Sequence, residues 1–213
     1  MFGLSNSVAA LASEANYAPH LKSSLQASAV QVINSIPLKA HLSGYGVYLG
    51  RGFVLTVAHA VGRWTLLGSP QIETAHERVT AKVMKKGFFP NLDLALLHVD
   101  EESIPDLQLR LTPLCKSLAR IGSPVIVAYP DRMVSSRIVS ASLILPAYRA
   151  NFGTLIREPE GSGSGLYDPE RICLLGIMSA AVTTFRPGSA PSRVGYFVPS
   201  SKIAAFVSTG SRP

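Results

Sequence analysis

The chain carries little charge and no long apolar run. Of its 213 residues only 15% are Asp, Glu, Lys or Arg, against 47% hydrophobic. That balance excludes the disordered, self-repelling class. Mean hydropathy is positive, yet apolar stretches such as ICLLGIM (172–178) fall far short of the roughly 20 residues that a membrane-crossing helix needs. A soluble globular protein without a membrane span is expected, as one large domain or two small ones, with enough chain to bury a sizeable core.

Basic clusters are absent as well. The net charge is +7, but the twenty Lys and Arg are scattered, the longest cluster being Lys85-Lys86. There is no RNP-like aromatic motif and no zinc-finger spacing, so a nucleic-acid partner is not expected, and the basic balance reads as a solubilising surface. Cysteine is scarce: Cys115 and Cys173 form no CxxC, which removes the common metal and redox motifs. One disulfide is permitted but not required. Both cysteines sit in apolar company (LTPLCKS, RICLLGI), where a thiol behaves as a small hydrophobe, so two free buried thiols are expected. No Lys or Arg precedes the Ala-rich patch of MFGLSNSVAALASEANYAPH, and its apolar run is short and broken by Ser and Asn. A signal peptide is not read there. Residues 1–28 read as an N-terminal arm with short helical turns (Val8 to Leu11, then Leu21 and Leu25). The compartment stays open, with the cytoplasm favoured over a secreted or periplasmic location.

Short β-type runs fill the rest of the chain, separated by Gly, Pro, Ser or Asp. A first set comprises VQVI (30–33), HLSGYGVYL (41–49), FVLT (53–56), WTLL (64–67), RVTAKVM (78–84) and LALLHV (94–99). A second comprises PVIVAY (124–129), MVSSRIVSASLIL (133–145), GTLIR (153–157), GLY (165–167), ICLLGIMSAA (172–181) and VGYFV (194–198). Many short strands with few helices indicate an all-β sandwich or barrel pair. Helix is expected only in the arm, just after His59, and at SSKIAAFV (200–207). The irregular segment 103–122, with two prolines, separates the two sets. The expectation is all-β, two tandem six-stranded β-barrels with a short C-terminal helix: arm 1–28, N-terminal barrel 29–112 and C-terminal barrel 113–213.

Three places could carry chemistry. Of the five histidines (His20, His41, His59, His76, His98), His59 stands out in GYGVYLGRGFVLTVAHAVG, where a hairpin would hold an imidazole at a strand-to-helix corner. Asp93 heads an apolar strand in NLDLALLHVD; it is either a turn residue or a buried carboxylate that needs a partner. EPEGSGSGLYD (158–168) is either a flexible linker or a tight turn presenting a nucleophile, with glycines that free the backbone amides to face an oxyanion. The order His59, Asp93, Ser162 is one of three orders known for such triads. The elbow pattern GxSxG fails, because the centre of GSGSG is Gly163.

These blocks together resemble the chymotrypsin/HtrA-type trypsin-like serine peptidases, in their compact bacterial form without a PDZ-sized segment after residue 208. LTVAHAV resembles that family's LTAAH block, NLDLALL its NDIALL block, SGSGLYD with LLGIMSA its SGGPL and GI-S strand, and GYFVPSSKIAAFV its closing strand and helix; the resemblance covers about residues 29–208. It implies a His59–Asp93–Ser162 triad, with Ser162 rather than Ser164 as nucleophile because the family's leucine follows the reactive serine by four. It also implies hydrolysis of peptide bonds through an acyl-enzyme, a protein or peptide substrate, and no metal or organic cofactor. The oligomeric state stays open, with a monomer favoured. The oxyanion hole would use backbone amides of Glu160, Gly161 and Ser162. Ile156 would lie at the base of the primary pocket, and Ser179, Ala180 and Ala181 on the substrate-pairing strand. No acid stands at 156, so a small or medium apolar P1 residue is expected. Glu160 stands where the family has glycine, and losing one oxyanion donor costs about 10²–10³ in rate. A catalytically impaired relative acting as a protein-binding module is therefore the alternative. Gly161 replaces the acid that would pair with a newly cut N-terminus, so activity without such processing is expected.

Overall fold

The computed structural model describes residues 19–36, 39–62, 69–89, 91–108, 110–117, 119–156, 161–184 and 192–208. The first half forms one antiparallel sheet from β1 (Ala29–Ile36), β2 (Lys39–Gly50), β3 (Phe53–Thr56), β4 (Gln71–Glu73), β5 (Arg78–Thr80), β6 (Lys82–Phe88) and β7 (Leu92–His98), in the order β5-β4-β1-β2-β3-β7-β6. Its two edge strands, β5 and β6, are consecutive in the chain with only buried Ala81 between them, and the Ala81 N–H donates to Pro70 O at 2.8 Å. RVTAKVM is thus one strand bent at Ala81, and the bend brings the two ends of the sheet together, so that it rolls up on itself. The second half is a closed six-stranded barrel of β8 (Pro124–Ala128), β9 (Met133–Val139), β10 (Gly153–Ile156), β11 (Gly165–Asp168), β12 (Cys173–Thr184) and β13 (Ser192–Pro199), in the order β10-β13-β12-β11-β8-β9. Helices α1 (Pro19–Ala27), α2 (Ala58–Val61) and α3 (Ser200–Ser208) fall at Leu21 and Leu25, at the corner that carries His59 and at 200–207, as expected; the expected turn at Val8 to Leu11 lies outside the described residues.

The strand readings differ from the structure in a few places. WTLL lies outside the described residues. The three-residue β4 is too short to show a period. MVSSRIVSASLIL stops being a strand at Val139, where the Ser140 hydroxyl accepts from the Ser142 N–H and the chain turns into a single 3-10 turn. No helix among the described residues is long and apolar enough to cross a membrane.

Runs such as LALL and VIVA do not alternate because both of their faces are covered. Along β7, Ala95 and Leu97 pack with Tyr48 and Val54 in the core of the first half. Leu94 and Leu96 point the other way, into a cluster shared with Ile126, Ala128, Leu174 and Ile177 of the second half. Along β8, Val125, Val127 and Tyr129 pack inside the second half with Leu166 and Leu175. Side chains alternate across a strand, so one strand feeds its own core with one face and the inter-barrel core with the other.

The cysteines correct the sequence reading. Cys115 and Cys173 are joined in a disulfide, with Cα atoms 5.0 Å apart. The connector zips alongside β12: the Cys115 N–H donates to Leu174 O at 3.0 Å and the Leu174 N–H to Pro113 O at 2.8 Å. This parallel bridge sets the two thiols within bonding reach. Apolar neighbours suggested isolated thiols because the pairing depends on a contact between residues 58 apart. The chain-entropy argument for a loop of that length gives about 4 kcal/mol, and measured values run about 2–4 kcal/mol. Reduction should therefore lower the free energy of urea unfolding by that amount, and the unfolded, unreduced protein should take up no maleimide. A mass shift of two adducts without reductant would restore the free thiols.

Candidate active site

The site begins where β3 stops. Thr56 is followed by extended Val57 (φ −90°, ψ 146°) and then by α2, a single turn. Ala58, Ala60 and Val61 are buried, whereas the His59 side chain is 46% exposed. Opposite it, near the head of β7, Asp93 is fully buried. A buried carboxylate must be supplied with donors, and Asp93 has three. The His59 N–H donates to Oδ1 at 3.1 Å, His59 Nδ1 lies 2.7 Å from Oδ2, and the Ser179 hydroxyl donates to Oδ2 at 2.5 Å. Burial pushes the Asp93 carboxyl up, but the hydrogen bonds from His59 and Ser179 outweigh it. The group is held below its ordinary value. A carboxylate only accepts, so Nδ1 carries the hydrogen and Nε2 presents its lone pair outward.

Ser179 occupies the β-bulge of the β12–β13 ladder, between the pairs Met178↔Phe197 and Ala180↔Tyr196. Bulges re-aim side chains next to functional sites. Here the extra residue sends its hydroxyl to Asp93 while its carbonyl accepts from the Ser162 hydroxyl at 2.9 Å. The three expected triad residues are thus gathered around Ser179, with the Ser162 hydroxyl on the Ser179 carbonyl rather than on His59. The resemblance pointed to Ser179 only as a residue of the substrate-pairing strand. Nothing local signals that its side chain serves Asp93.

The linker reading of GSGSG fails. Gly161 (φ +137°) and Gly163 (φ +93°) adopt backbone that favours glycine, and a Cβ at 163 would come within 1.8 Å of Tyr45 O. Backbone bonds pin the turn: Tyr45 N–H to Ser162 O at 2.8 Å, Gly163 N–H to Met178 O at 2.7 Å, and Met178 N–H to Ser164 O at 2.9 Å. Ser164 is fully buried and its hydroxyl donates to Gly161 O at 2.8 Å, so it is held away from any substrate. In a trans peptide the carbonyl and the next N–H point in opposite directions. With Gly161 O turned inward, the Ser162 N–H is aimed out of the turn, and it has no partner among the described residues.

The remaining expected residues are placed as follows. Ile156 ends β10, paired in the backbone with Val194 and Arg137. Ala180 and Ala181 pair with Tyr196 and Gly195. The β11 ladder reaches β12 as far as Ile177, and the turn at Gly163–Ser164 continues it to Met178; past Ser179 that edge of β12 has no strand partner among the described residues. Glu160 lies outside the described residues. Of the other histidines, His98 packs edge-on against Phe53 and His76 lies 3.8 Å from Asp106 at the surface.

No known family profile and no curated protein matches this chain. Solved structures do. The active form of the Rv3671c protease from M. tuberculosis superposes with a TM-score of 0.68 at 20% identity, over 91% of this chain and 85% of that one. An inactive form of the same protease gives 0.66 at 18% identity, over 93% and 96%. The serine endoprotease from Yersinia pestis gives 0.65 at 18% identity, over 89% and 65%. These likenesses establish a chymotrypsin-like fold, as the sequence blocks implied.

The Asp93 carboxyl is depressed in the folded state, so its stabilising contribution is present above the ordinary carboxylate range, about 4, and is lost as pH falls through the folded value. Ser179→Ala removes a donor and raises that folded value. Acid unfolding followed by tryptophan fluorescence should then begin at higher pH than in the wild type, whereas Asp93→Asn should abolish this part of the acid dependence. An acid midpoint unmoved by Ser179→Ala would show that the hydroxyl does not stabilise the carboxylate.

Proposed function

We propose that this protein is a serine endopeptidase acting through His59, Asp93 and Ser162. The observation that carries the reading is the buried Asp93 carboxylate holding His59 by both ring and backbone, with Ser162 tied to the same Ser179 on a glycine-flanked turn. In the reaction the Ser162 hydroxyl leaves the Ser179 carbonyl by a side-chain rotation and donates to His59 Nε2. The imidazole takes its proton as Oγ attacks the substrate carbonyl, then returns it to the leaving amine. Asp93 keeps the ring in the correct tautomer and stabilises the imidazolium. The outward Ser162 N–H receives the oxyanion, joined in this reading by the amide at 160. Water then releases the acyl group from Ser162. The segment 29–112 supplies the base and its carboxylate, and 113–213 the nucleophile.

The free edge of β12 at Ala180 and Ala181 supports binding of an extended protein or peptide segment by strand addition. Small side chains there, with Ile156 at the end of β10, favour a small or medium apolar P1 residue. The chemistry requires no cofactor. The Cys115–Cys173 disulfide supports an oxidising compartment, against the cytoplasmic location favoured from the sequence. The second reading, an impaired relative that binds proteins, draws on the Ser162 hydroxyl being held by Ser179 rather than by His59.

Labelling with a fluorophosphonate probe separates the two. Wild type should be labelled at Ser162; Ser162→Ala should take up none and His59→Ala should be slowed about 10⁴-fold or more. Ser164→Ala should still be labelled, though more slowly, since its hydroxyl only steadies the turn. A well-folded wild type that takes up no probe would select the binding module.

A further inference from the structure

Gly161 has no side chain and a backbone that only glycine adopts readily, so the hydrogen bonds that pin the turn after it leave its own Cα face to be held by whatever packs there. The neighbours supply what it lacks. A Cβ at 161 would meet ring carbons of Tyr45 and of Tyr129, each at 2.7 Å. The two rings pack edge to face, with centroids 5.0 Å apart and planes at 82°. The Arg132 guanidinium covers Tyr129 at 4.2 Å from its centroid, and Asp131 accepts from Arg132 at 3.3 Å. Tyr45 touches the turn at every step: its ring meets Gly161, its N–H donates to Ser162 O at 2.8 Å, and its carbonyl abuts Gly163 while accepting from Thr56 Oγ1 at 2.6 Å.

We propose that the Tyr45–Tyr129 ring pair is the positioning device of the nucleophile turn, closing on Gly161 so that the Ser162 N–H faces the substrate oxygen without a buried ion pair or a newly cut N-terminus. This rests on the endopeptidase reading and adds two positioning residues to it. The rings act on the peptide between Gly161 and Ser162, which carries an oxyanion donor. Their loss therefore weakens the chemical step and leaves substrate binding in place. The contacts are made by ring carbons, so the hydroxyl of Tyr45 is dispensable for this role.

The test is the rate of fluorophosphonate labelling, resolved into kinact and KI, with thermal melting to establish folding. Tyr45→Leu should lower kinact about 10- to 100-fold and leave KI within about threefold, while Tyr45→Phe should restore kinact to within about twofold. Arg132→Ala, a surface change that uncovers Tyr129, should cost about threefold. Intact-mass spectrometry should find the wild-type adduct on the uncleaved chain. A folded Tyr45→Leu with wild-type kinact, a change confined to KI, or an adduct found only on cleaved chains would each overturn the proposal while the endopeptidase reading stands. If Tyr45→Leu does not fold, Tyr129→Leu is judged by the same criteria; failure of both to fold would make the rings a stability element and overturn the positioning role. A wild type that takes up no probe would overturn the endopeptidase reading and this proposal with it.

Discussion

A fully buried carboxylate has to be given donors, and the site follows from how Asp93 gets them. Hydrogen bonds to charged groups contribute about 1.5–3 kcal/mol each, and an unpaired buried charge costs several kcal/mol. Asp93 draws two donors from His59 of the first half and one from Ser179 of the second. The same demand therefore fixes the imidazole and registers β12 against β7 across the barrel boundary. Ser162 enters this network through the Ser179 carbonyl. A bulge of one residue in β12 lets Ser179 serve both sides.

The rest of the fold keeps those elements in reach. The inter-barrel core is assembled from one face of β2, β3 and β7, one face of β8, β11, β12 and β13, and the buried residues Ile203 and Phe206 of α3. It holds the halves together just beneath the site. The backbones also approach closely at Gly44, where a Cβ would lie 2.9 Å from Ala60 Cβ and 3.0 Å from Ser162 O. Any larger residue there would push the nucleophile turn away from α2. Next to it, Tyr45 meets the turn with its N–H, its carbonyl and its ring. A β-hairpin of the first half thus forms the bed on which the nucleophile of the second half rests.

Several features were legible because they are local. The histidine at a strand-to-helix corner, the carboxylate heading an apolar strand, and a serine between glycines each carry their reason in a few neighbouring residues. The helix at 200–207 does too. Features that depend on contacts between distant residues were not legible. Apolar flanks made Cys115 and Cys173 look like isolated thiols until the connector paired with β12. RVTAKVM has the period of one strand, and only the closing of the first sheet bends it at Ala81. Ser179 and Tyr45 have ordinary strand neighbours; their roles exist only because β12 and β2 meet Asp93 and the Gly161–Gly163 turn.

The sequence by itself determined the class of fold, the two sets of strands, the positions of the short helices and the three residues that could carry chemistry, since periodicity, turn residues and glycine spacing act over a few residues. The tertiary structure decided the disulfide, the donors of Asp93, the present hold on the Ser162 hydroxyl, and the ring pair closing on Gly161. Each of these needs groups tens of residues apart to arrive within hydrogen-bonding or van der Waals distance, and packing two barrels on a shared core is what brings them there.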